Sequence, residues 1–471
     1  MVPCTVNFET LGCRLNQIET EAAARSFADA GFACSFSTPG ARSCADGTVR
    51  LVVVNTCSVT SKAEQKARRL IRLILSKFPN AAVIVTGCYA QLSEDYLRSM
   101  SSRIAVLPGR KKGAIADVPA LLARDGIPES AQRLAEYLND MFRAEHANAR
   151  SAFRLHTDTL MAHSRASIKI QDGCSNSCTF CCIRIARGRS ISLDAGTVIE
   201  RCVQLERSGH REIVFTGVNL SQYKSERNGT QIGLAGILQC VIDATRSVPV
   251  AVSSLYPESV TDALCAVIAS PRVQPRFHLS VQSGSDTVLN AMGRRYTADD
   301  VRTAVRRLRQ AKPRCFVSCD IIAGFPGETQ EDFSQTMRLC GDAGFSWVHV
   351  FPFSPRPGTA AYSMKPRVQD SVVRGRVMQL AEFAKRAKIA FISSCVGQRF
   401  SAVVERPRSG ARTGTIRCVT QNFIHAECIV PDADAYPQGT VILVEILCPL
   451  EEAIMSGTEE ADARGAVAGT A

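Results

Sequence analysis

The chain predicts an α/β protein in three parts: an open parallel α/β domain over residues 1–125, a partial (β/α) barrel over 166–390, and a small all-β barrel over 393–455. Three observations predict it. Apolar β-branched runs alternate with amphipathic helical stretches up to about residue 125, the same alternation resumes after 166, and the texture changes to short alternating runs broken by Gly and Pro after Ser393. At 471 residues, 45% hydrophobic and 21% charged, the chain is long and apolar enough for two or three such domains, which excludes wholesale disorder.

In the first part, Leu51-Val52-Val53-Val54 and Ala82-Val83-Ile84-Val85 predict buried parallel strands. Ala63 to Lys77 predicts a helix whose Lys62, Lys66, Arg68, Arg69 and Arg72 form a solvated face. Residues 126–165 are polar and weakly periodic, and are expected to be a linker containing a helix. In the second part, strands are expected at Ile168 and Ile170, Ile213-Val214-Phe215, Val250-Ala251-Val252, His278-Leu279-Ser280-Val281, Phe316 to Ile322 and Trp347 to Phe351, with helices such as Thr297 to Lys312 between most of them. The third part offers strands at Phe400 to Val404, Thr415 to Val419, Ile424 to Val430 and Thr440 to Ile446, a barrel of the kind often used to hold RNA. The Ala-, Gly- and Glu-rich tail, 456–471, is expected to be disordered.

No apolar run approaches the ~18 residues needed to span a bilayer, so no membrane partner is expected. The start, Met1 to Thr5, lacks the regions of a signal peptide, which predicts a cytoplasmic protein. There thiols stay reduced, and twenty cysteines in a chain of this length point to metal or catalysis rather than a disulfide scaffold. The balance of 56 Lys and Arg against 44 Asp and Glu gives +12, which favours a polyanionic partner but is shared by many enzymes without one.

Cys174, Cys178 and Cys181 form C-x₃-C-x₂-C after a strand, entered through Asp172-Gly173, with Phe180 placed to shield a cluster. Three thiolates on one loop can hold three irons of a [4Fe-4S] cluster and leave the fourth open. The alternative is a zinc loop, but a closed zinc site needs a fourth ligand, and Cys182 is adjacent to Cys181 and badly aimed. This motif at the end of a first barrel strand resembles the radical S-adenosylmethionine (SAM) superfamily, in which the open iron chelates SAM and delivers the electron that cleaves it. Thr216-Gly217-Val218-Asn219, Ser253-Ser254, Gln282-Ser283-Gly284 and Ile322 to Glu328, including Gly324, are similar to that superfamily's SAM- and substrate-lining segments. The resemblance therefore implies cofactor contacts at Thr216, Gly217, Asn219, Ser253, Ser254, Gln282, Gly324 and Glu328. Each could equally be a plain βα turn.

Three early strands also end on a cysteine, at Cys13, Cys57 and Cys88. Strand C-termini of an open parallel sheet share one edge, so three thiolates could converge despite their separation in sequence. Small buried hydrophobes are the ordinary alternative for Cys. Together with their surroundings, Leu11 to Gln17, Asn55 to Thr60, Val85 to Gln91 and Gln282 to Asp286, the two sets resemble the methylthiotransferase family of radical SAM enzymes over nearly the whole chain. The resemblance implies a second [4Fe-4S] cluster on Cys13, Cys57 and Cys88 carrying a sulfide, one SAM that methylates it, and a second SAM that supplies the radical.

Gly12 to Gln17, Thr60, Arg294-Arg295-Tyr296-Thr297 and Phe353 to Thr359 look most like the type acting on tRNA threonylcarbamoyladenosine, at carbon 2 of the adenine beside the anticodon. The other types act on tRNA isopentenyladenosine and on a ribosomal-protein aspartate. Implied partners are the tRNA anticodon stem-loop, an electron donor and a sulfur donor. A non-catalytic iron–sulfur or zinc protein that binds RNA is the alternative from another class, and the Gly-rich strand ends argue against it.

Departures are local: Cys182 and Arg184 stand where an apolar residue and a proline are usual, Ser280 where proline is usual, and Tyr256 where glutamate is usual. The C-terminal barrel resembles the family's TRAM module, yet residues 391–455 hold five Arg and no Lys against seven acids. A uniformly basic cradle is excluded, leaving Arg406, Arg408, Arg412 and Arg417 as one positive face, with Asn422, Phe423 and His425 as groups to stack on or hydrogen-bond RNA. The seven histidines include no H-x₃-H pair, which gives a helical zinc hydrolase no support.

Overall fold

The N-terminal unit is a parallel sheet of β1 (Thr5–Thr10), β2 (Ala33–Ser35), β3 (Val49–Thr56), β4 (Ala82–Gly87) and β5 (Ile104–Pro108), in the order β2-β1-β3-β4-β5. The computed structural model describes residues 5–40, 44–144, 152–158, 165–405, 414–457 and 461–470. Both faces of the sheet are covered, and the Leu51 to Val54 run shows how. Leu51 and Val53 pack with the Arg14–Asp29 helix, while Val52 and Val54 pack with Ala67, Ile71 and Ile74 of the Ser61–Lys77 helix. The strand order reverses between β1 and β3, the crevice where open α/β sheets bind ligands.

The segment expected as a linker does more than connect. Its Ala131–Ala144 helix buries Leu134, Ala135, Leu138 and Phe142 in the core of the N-terminal sheet. Asn139 Oδ1 accepts from the Val106 N–H (3.1 Å) and its Nδ2 donates to the Ile104 carbonyl (3.1 Å), so a side chain completes the free edge of β5. The helix expected within this segment is amphipathic and packs back on the sheet.

The central unit is built from β6 (Ala166–Lys169), β7 (Gln171–Asp172), β8 (Ile191–Ser192), β9 (Ile213–Thr216), β10 (Ser225–Arg227), β11 (Thr230–Ile232), β12 (Val250–Val252), β13 (Ser254–Leu255), β14 (Arg276–Gln282), β15 (Phe316–Ala323) and β16 (Trp347–Pro352). Strands β6, β9 and β12 form one parallel ladder, and β13 to β16 another. Only Ser253 separates β12 from β13, so the wall is one curved, six-stranded partial barrel. Its outer layer includes the Ala195–Arg207, Leu234–Ala244, Ala298–Ala311, Gln330–Ala343 and Asp370–Ser393 helices. Capping boxes at Thr297/Asp300 and Thr329/Asp332 fix the starts of two of them.

The C-terminal unit is a closed barrel of β17 (Arg399–Val404), β18 (Thr415–Thr420), β19 (His425–Ile429), β20 (Val441–Pro449) and β21 (Ala463–Thr470). Strand β21 corrects the expectation of a disordered tail: it runs parallel to β19 and antiparallel to β20 and closes the barrel. Its small residues are the reason it fits. A Cβ on Gly465 would stand 2.6 Å from Val444 Cγ1 and 3.1 Å from Cys428 Sγ.

Arg406, Arg408 and Arg412 lie outside the described residues; Arg417 lies on β18 opposite Glu427. Asn422 and Phe423 are not free RNA-binding groups. Asn422 is buried, donating to Cys395 Sγ and accepting from Thr420 Oγ1 (2.6 Å). Phe423 packs on Phe316 and beneath the Arg165 and Arg276 guanidiniums, and His425 stacks edge-on against it. Phe423, with Phe316, Arg165 and Arg276, seats the small barrel on the larger one. Among the described residues, no helix is long and apolar enough to cross a membrane.

Candidate active site

Cys174, Cys178 and Cys181 all line a cavity of ≈ 230 Å³ at the C-terminal mouth of the partial barrel. The loop that carries them is shaped by its entrance. Gly173 adopts φ +68°, and a Cβ there would meet the Arg189 carbonyl oxygen at 2.1 Å. The Cys174 N–H donates to the Gly188 carbonyl (3.1 Å), folding the loop back on itself.

Gln171 joins this loop to the next strand end. Its Nε2 donates to the carbonyls of Asp172 (2.9 Å) and Gly173 (2.7 Å), while its Oε1 accepts from the Asn219 N–H (2.8 Å). Gly217 must be glycine at this approach, because a Cβ would lie 2.9 Å from Gln171 Oε1. Asn219 Nδ2 in turn lies 3.8 Å from Cys174 Sγ. The Thr216 to Asn219 turn is thus pinned against the cysteine loop by one amide that sequence reading had not singled out.

The other expected cofactor contacts divide. Gln282 lines the cavity and holds φ +74°, a left-handed conformation costly for a residue with a side chain. Ser253, at the break between β12 and β13, has a buried Oγ without a hydrogen-bond partner. Ser254 follows it in β13, and Thr216 is buried at the end of β9. Gly324 and Glu328 act together on the cavity's outer side: the Gly324 N–H donates to Glu328 Oε2 (2.7 Å), and Arg376 Nη1 donates to the same oxygen (2.6 Å). Glu328 is therefore engaged in shaping its loop and is absent from the cavity lining.

Cys13, Cys57 and Cys88 follow β1, β3 and β4 at the same sheet edge, across the β1/β3 reversal. The glycines before two of them make the approach possible. A Cβ on Gly12 (φ +105°) would lie 2.5 Å from Cys57 Cβ, and one on Gly87 (φ +97°) would lie 2.3 Å from the Thr56 carbonyl oxygen. Asn16 secures the same corner, donating from Nδ2 to the Leu11 (2.8 Å) and Thr56 (3.1 Å) carbonyls. Burial raises the Cys57 thiol to about 11, with smaller contributions from neighbouring Cys13 and Cys88, and burial raises Cys181 to about 12. Among the described residues, no three Cys, His, Asp or Glu side chains close on the geometry of a single metal ion.

The N-terminal sheet reaches the cavity of the barrel cysteines through the loop after Cys57. Val59 and Thr60, directly after Cys57-Ser58, line the same cavity as Cys174, Cys178 and Cys181. Cys182 lies between the sets, with Sγ 3.4 Å from the Ser58 carbonyl oxygen. Arg356 donates to Ser58 Oγ (2.9 Å) and pairs with Glu64, and Ser61 N–H donates to Ser354 Oγ (3.0 Å). These contacts hold the N-terminal sheet over the barrel mouth.

Beneath that seam lies a buried ion cluster invisible to sequence periodicity. Glu19, fully buried, pairs with Lys112, with Lys169 (2.8 Å) and with Arg187 (3.4 Å). Asp172 pairs with Lys169 (3.1 Å) and Arg187 (2.9 Å). Burial opposes ionisation of Glu19, but the three cations overcome it and hold the carboxyl low; the same balance holds Asp172 at about 2. Charges this buried are tolerated only when paired.

The wall of the cavity at the end of β14 is aromatic. Tyr296 Oη donates to the carbonyls of Ser280 (2.6 Å) and Val281 (2.9 Å), fixing the strand before the Gln282 turn. The Arg294 guanidinium lies 5.4, 5.0 and 5.8 Å from the ring centroids of Phe180, Tyr256 and Tyr296. Deeper in the lumen, His278 Nε2 is 3.0 Å from Asp320 Oδ2, and His278 Nδ1 is 2.9 Å from Ser318 Oγ.

The chain matches the family described as the Radical SAM superfamily over residues 168–340 and the uncharacterized protein family UPF0004 over residues 5–109. It is 40% identical to the threonylcarbamoyladenosine tRNA methylthiotransferase MtaB of Treponema pallidum, over 94% of this chain and 98% of that protein. The protein of that name from Thermotoga maritima is 34% identical over 85% of this chain and 86% of its own. Among solved structures, the radical S-adenosylmethionine methyltransferase TsrM of Kitasatospora setae, with cobalamin and a [4Fe-4S] cluster bound, superposes with a TM-score of 0.51. It covers 77% of each chain at 14% identity, a likeness of fold alone.

Proposed function

Because this chain belongs to the family of threonylcarbamoyladenosine tRNA methylthiotransferases named MtaB, we propose that it is the radical SAM enzyme that adds a methylthio group to carbon 2 of N6-threonylcarbamoyladenosine in the tRNA anticodon loop. The observation that carries this reading is the cavity lined by Cys174, Cys178 and Cys181 together with Val59 and Thr60 of the loop that follows Cys57. Cys174, Cys178 and Cys181 hold one [4Fe-4S] cluster, and Cys13, Cys57 and Cys88 hold a second. The residues fit such groups: each set offers three thiols, with no group of ligands closing a single-metal site among the described residues, and the unpaired Ser253 Oγ at a neighbouring strand end awaits a polar partner. When bound, the clusters and SAM supply the radical and the methylated sulfur.

The chain's own side chains bind, orient and exclude water. Gln171 and Asn219 fix the loop of the first cluster against the strand end that receives SAM. Phe180, Tyr256 and Phe353 form a dry wall, which keeps solvent from quenching a radical. Arg356 and Glu64 keep Val59 and Thr60 at the mouth, so an adenine entering there meets Cys174, Cys178 and Cys181 and the loop that follows Cys57. An external electron donor and sulfur donor complete the cycle.

The test is anaerobic reconstitution with iron and sulfide, followed by incubation with SAM, reductant and tRNA carrying threonylcarbamoyladenosine, with nucleosides analysed by mass spectrometry. About eight irons per chain and a methylthio mass gain on that nucleoside are expected. Full iron without the gain on that nucleoside would reassign the substrate, and stoichiometric zinc in place of iron would overturn the chemistry.

A further inference from the structure

Arg187 reaches toward both cysteine sets at once. It ends the Ile183–Arg187 helix that follows Cys181 and Cys182, and the carbonyl of the next residue, Gly188, accepts from the Cys174 N–H (3.1 Å). On one side its buried guanidinium meets acids: Nη1 donates to Asp172 Oδ1 (2.9 Å) and Oδ2 (3.1 Å) and lies 3.4 Å from Glu19 Oε1. Asp172 Oδ1 also accepts from the Gly173 N–H (2.7 Å), at the entrance of the first cysteine loop. On the other side Arg187 Nη2 donates to Asn16 Oδ1 (3.0 Å). Asn16 is the buried amide that holds the carbonyls of Leu11, just ahead of Gly12-Cys13, and of Thr56, just ahead of Cys57. One planar fork therefore joins the loop of one set to the corner of the other.

The charge around this fork does not cancel. Among the described residues, the ion pairs of the cluster join three cations, Lys112, Lys169 and Arg187, to two carboxylates, Glu19 and Asp172. All five side chains are buried, so water does not screen the positive surplus, and an uncompensated buried charge is costly. The second cysteine set faces that surplus. Burial opposes the charged form of Arg187, Asp172 and Glu19 restore it, and Cys88 and Cys13 add to their effect. Cys88 likewise favours the charged form of Lys112, which burial opposes. An oxidised [4Fe-4S] core held by three thiolates carries roughly one net negative charge, which a surplus of this size offsets.

We propose that Arg187 is the positioning residue of the second iron–sulfur site: through Asn16 it holds the Cys13–Cys57 corner, and its charge raises the reduction potential of the cluster held there. The inference rests on the proposed function for the presence of that cluster. The competing use of the same residues is a structural ion network with no bearing on a cluster.

An EPR-monitored redox titration of the full-length protein, reconstituted anaerobically and poised with redox mediators, separates the two. The second cluster is the signal that survives in Cys174→Ala. Removing a positive charge disfavours the reduced, more negative cluster, so Arg187→Met should move its midpoint to lower potential. The expected size is about a tenfold change in the ratio of reduced to oxidised cluster at fixed potential. Asp172→Asn removes a negative charge and should move the midpoint the opposite way, and Arg187→Met combined with Asp172→Asn should return it close to wild type. Arg187→Lys keeps the charge without the fork and should stay nearer wild type than Arg187→Met does. If Arg187→Met takes up too little iron, the upward shift in Asp172→Asn, or its absence, decides. A second-cluster midpoint unchanged in every iron-loaded variant would leave the cations a structural role only and overturn the proposal. Wild-type iron content of one cluster, with no signal surviving Cys174→Ala, would instead sink the second cluster of the proposed function.

Discussion

Gly12 has no side chain to offer, yet the second cysteine set depends on it. Its φ of +105° and the 2.5 Å approach to Cys57 Cβ leave no room for a methyl group. Gly12→Ala is expected to push Cys13 and Cys57 apart and lower the iron content by about four per chain, while SAM cleavage at the other cluster persists. Iron analysis and 5′-deoxyadenosine release check this, and eight irons in the variant would refute the proposed ligand set. Two direct substitutions extend the argument. Cys57→Ala should retain SAM cleavage and lose methylthio transfer, whereas Cys174→Ala should lose both. At this scale the sequence was informative about thiols, because three cysteines on one loop or at three strand ends are visible as spacing. It was silent about Arg294 as a cavity residue and about Gln171 as a pin, because neither role has a period or a motif of its own.

At the scale of elements, the Ser61–Lys77 helix connects fold to site. Thr60 caps it, its hydroxyl accepting from the Ala63 N–H (3.1 Å), and the same residue lines the cavity. Thr60→Ala should cost about 1 kcal/mol of stability in urea unfolding, and Thr60→Ser should recover most of it. Equal stability of all three proteins would show that the cap is idle. Helix and strand periodicity predicted this helix and β3 well, since both bury one continuous apolar set. It expected a helix within 126–165 but not that Ala131–Ala144 packs back on the sheet, because its polar face dominates the composition, and it misjudged β21, whose residues carry almost no hydrophobic signal. Strand β21 is held by ladder hydrogen bonds on two sides. Deleting residues 461–471 should therefore expose the edges of β19 and β20 and remove hydrogen-exchange protection from their amides, while β14 and β15 keep theirs. Retained protection in β19 would show that the barrel closes without its last strand.

For the whole molecule, the decisive feature is the seam between the N-terminal sheet and the partial barrel. Glu19 and Lys112 come from one side, and Lys169, Asp172 and Arg187 from the other. Because the cations hold Asp172 at about 2 against an ordinary 3.8, its contribution to stability is full above pH 3.8 and is lost as the pH falls through about 2. Unfolding free energy measured across that interval should decline in the wild type and decline less steeply in Asp172→Asn. Parallel slopes would mean the seam is not under this electrostatic control. The same seam brings Val59 and Thr60 to the mouth of the barrel, so its loosening in acid should also weaken SAM-dependent modification more than SAM binding.

The sequence by itself determined the layer architecture, the six cysteines and the order of the three units, because apolar period and thiol spacing are local properties written along the chain. Only the tertiary structure decided that the loop after Cys57 lines the same cavity as Cys174, Cys178 and Cys181, that Asn422 is buried in the small barrel while Phe423 packs on the larger one, and that Glu328 shapes a loop outside the cavity lining. Those outcomes depend on which strand ends and side chains meet across hundreds of residues. Such meetings are set by packing and by the pairing of buried charge, neither of which leaves a period in the sequence.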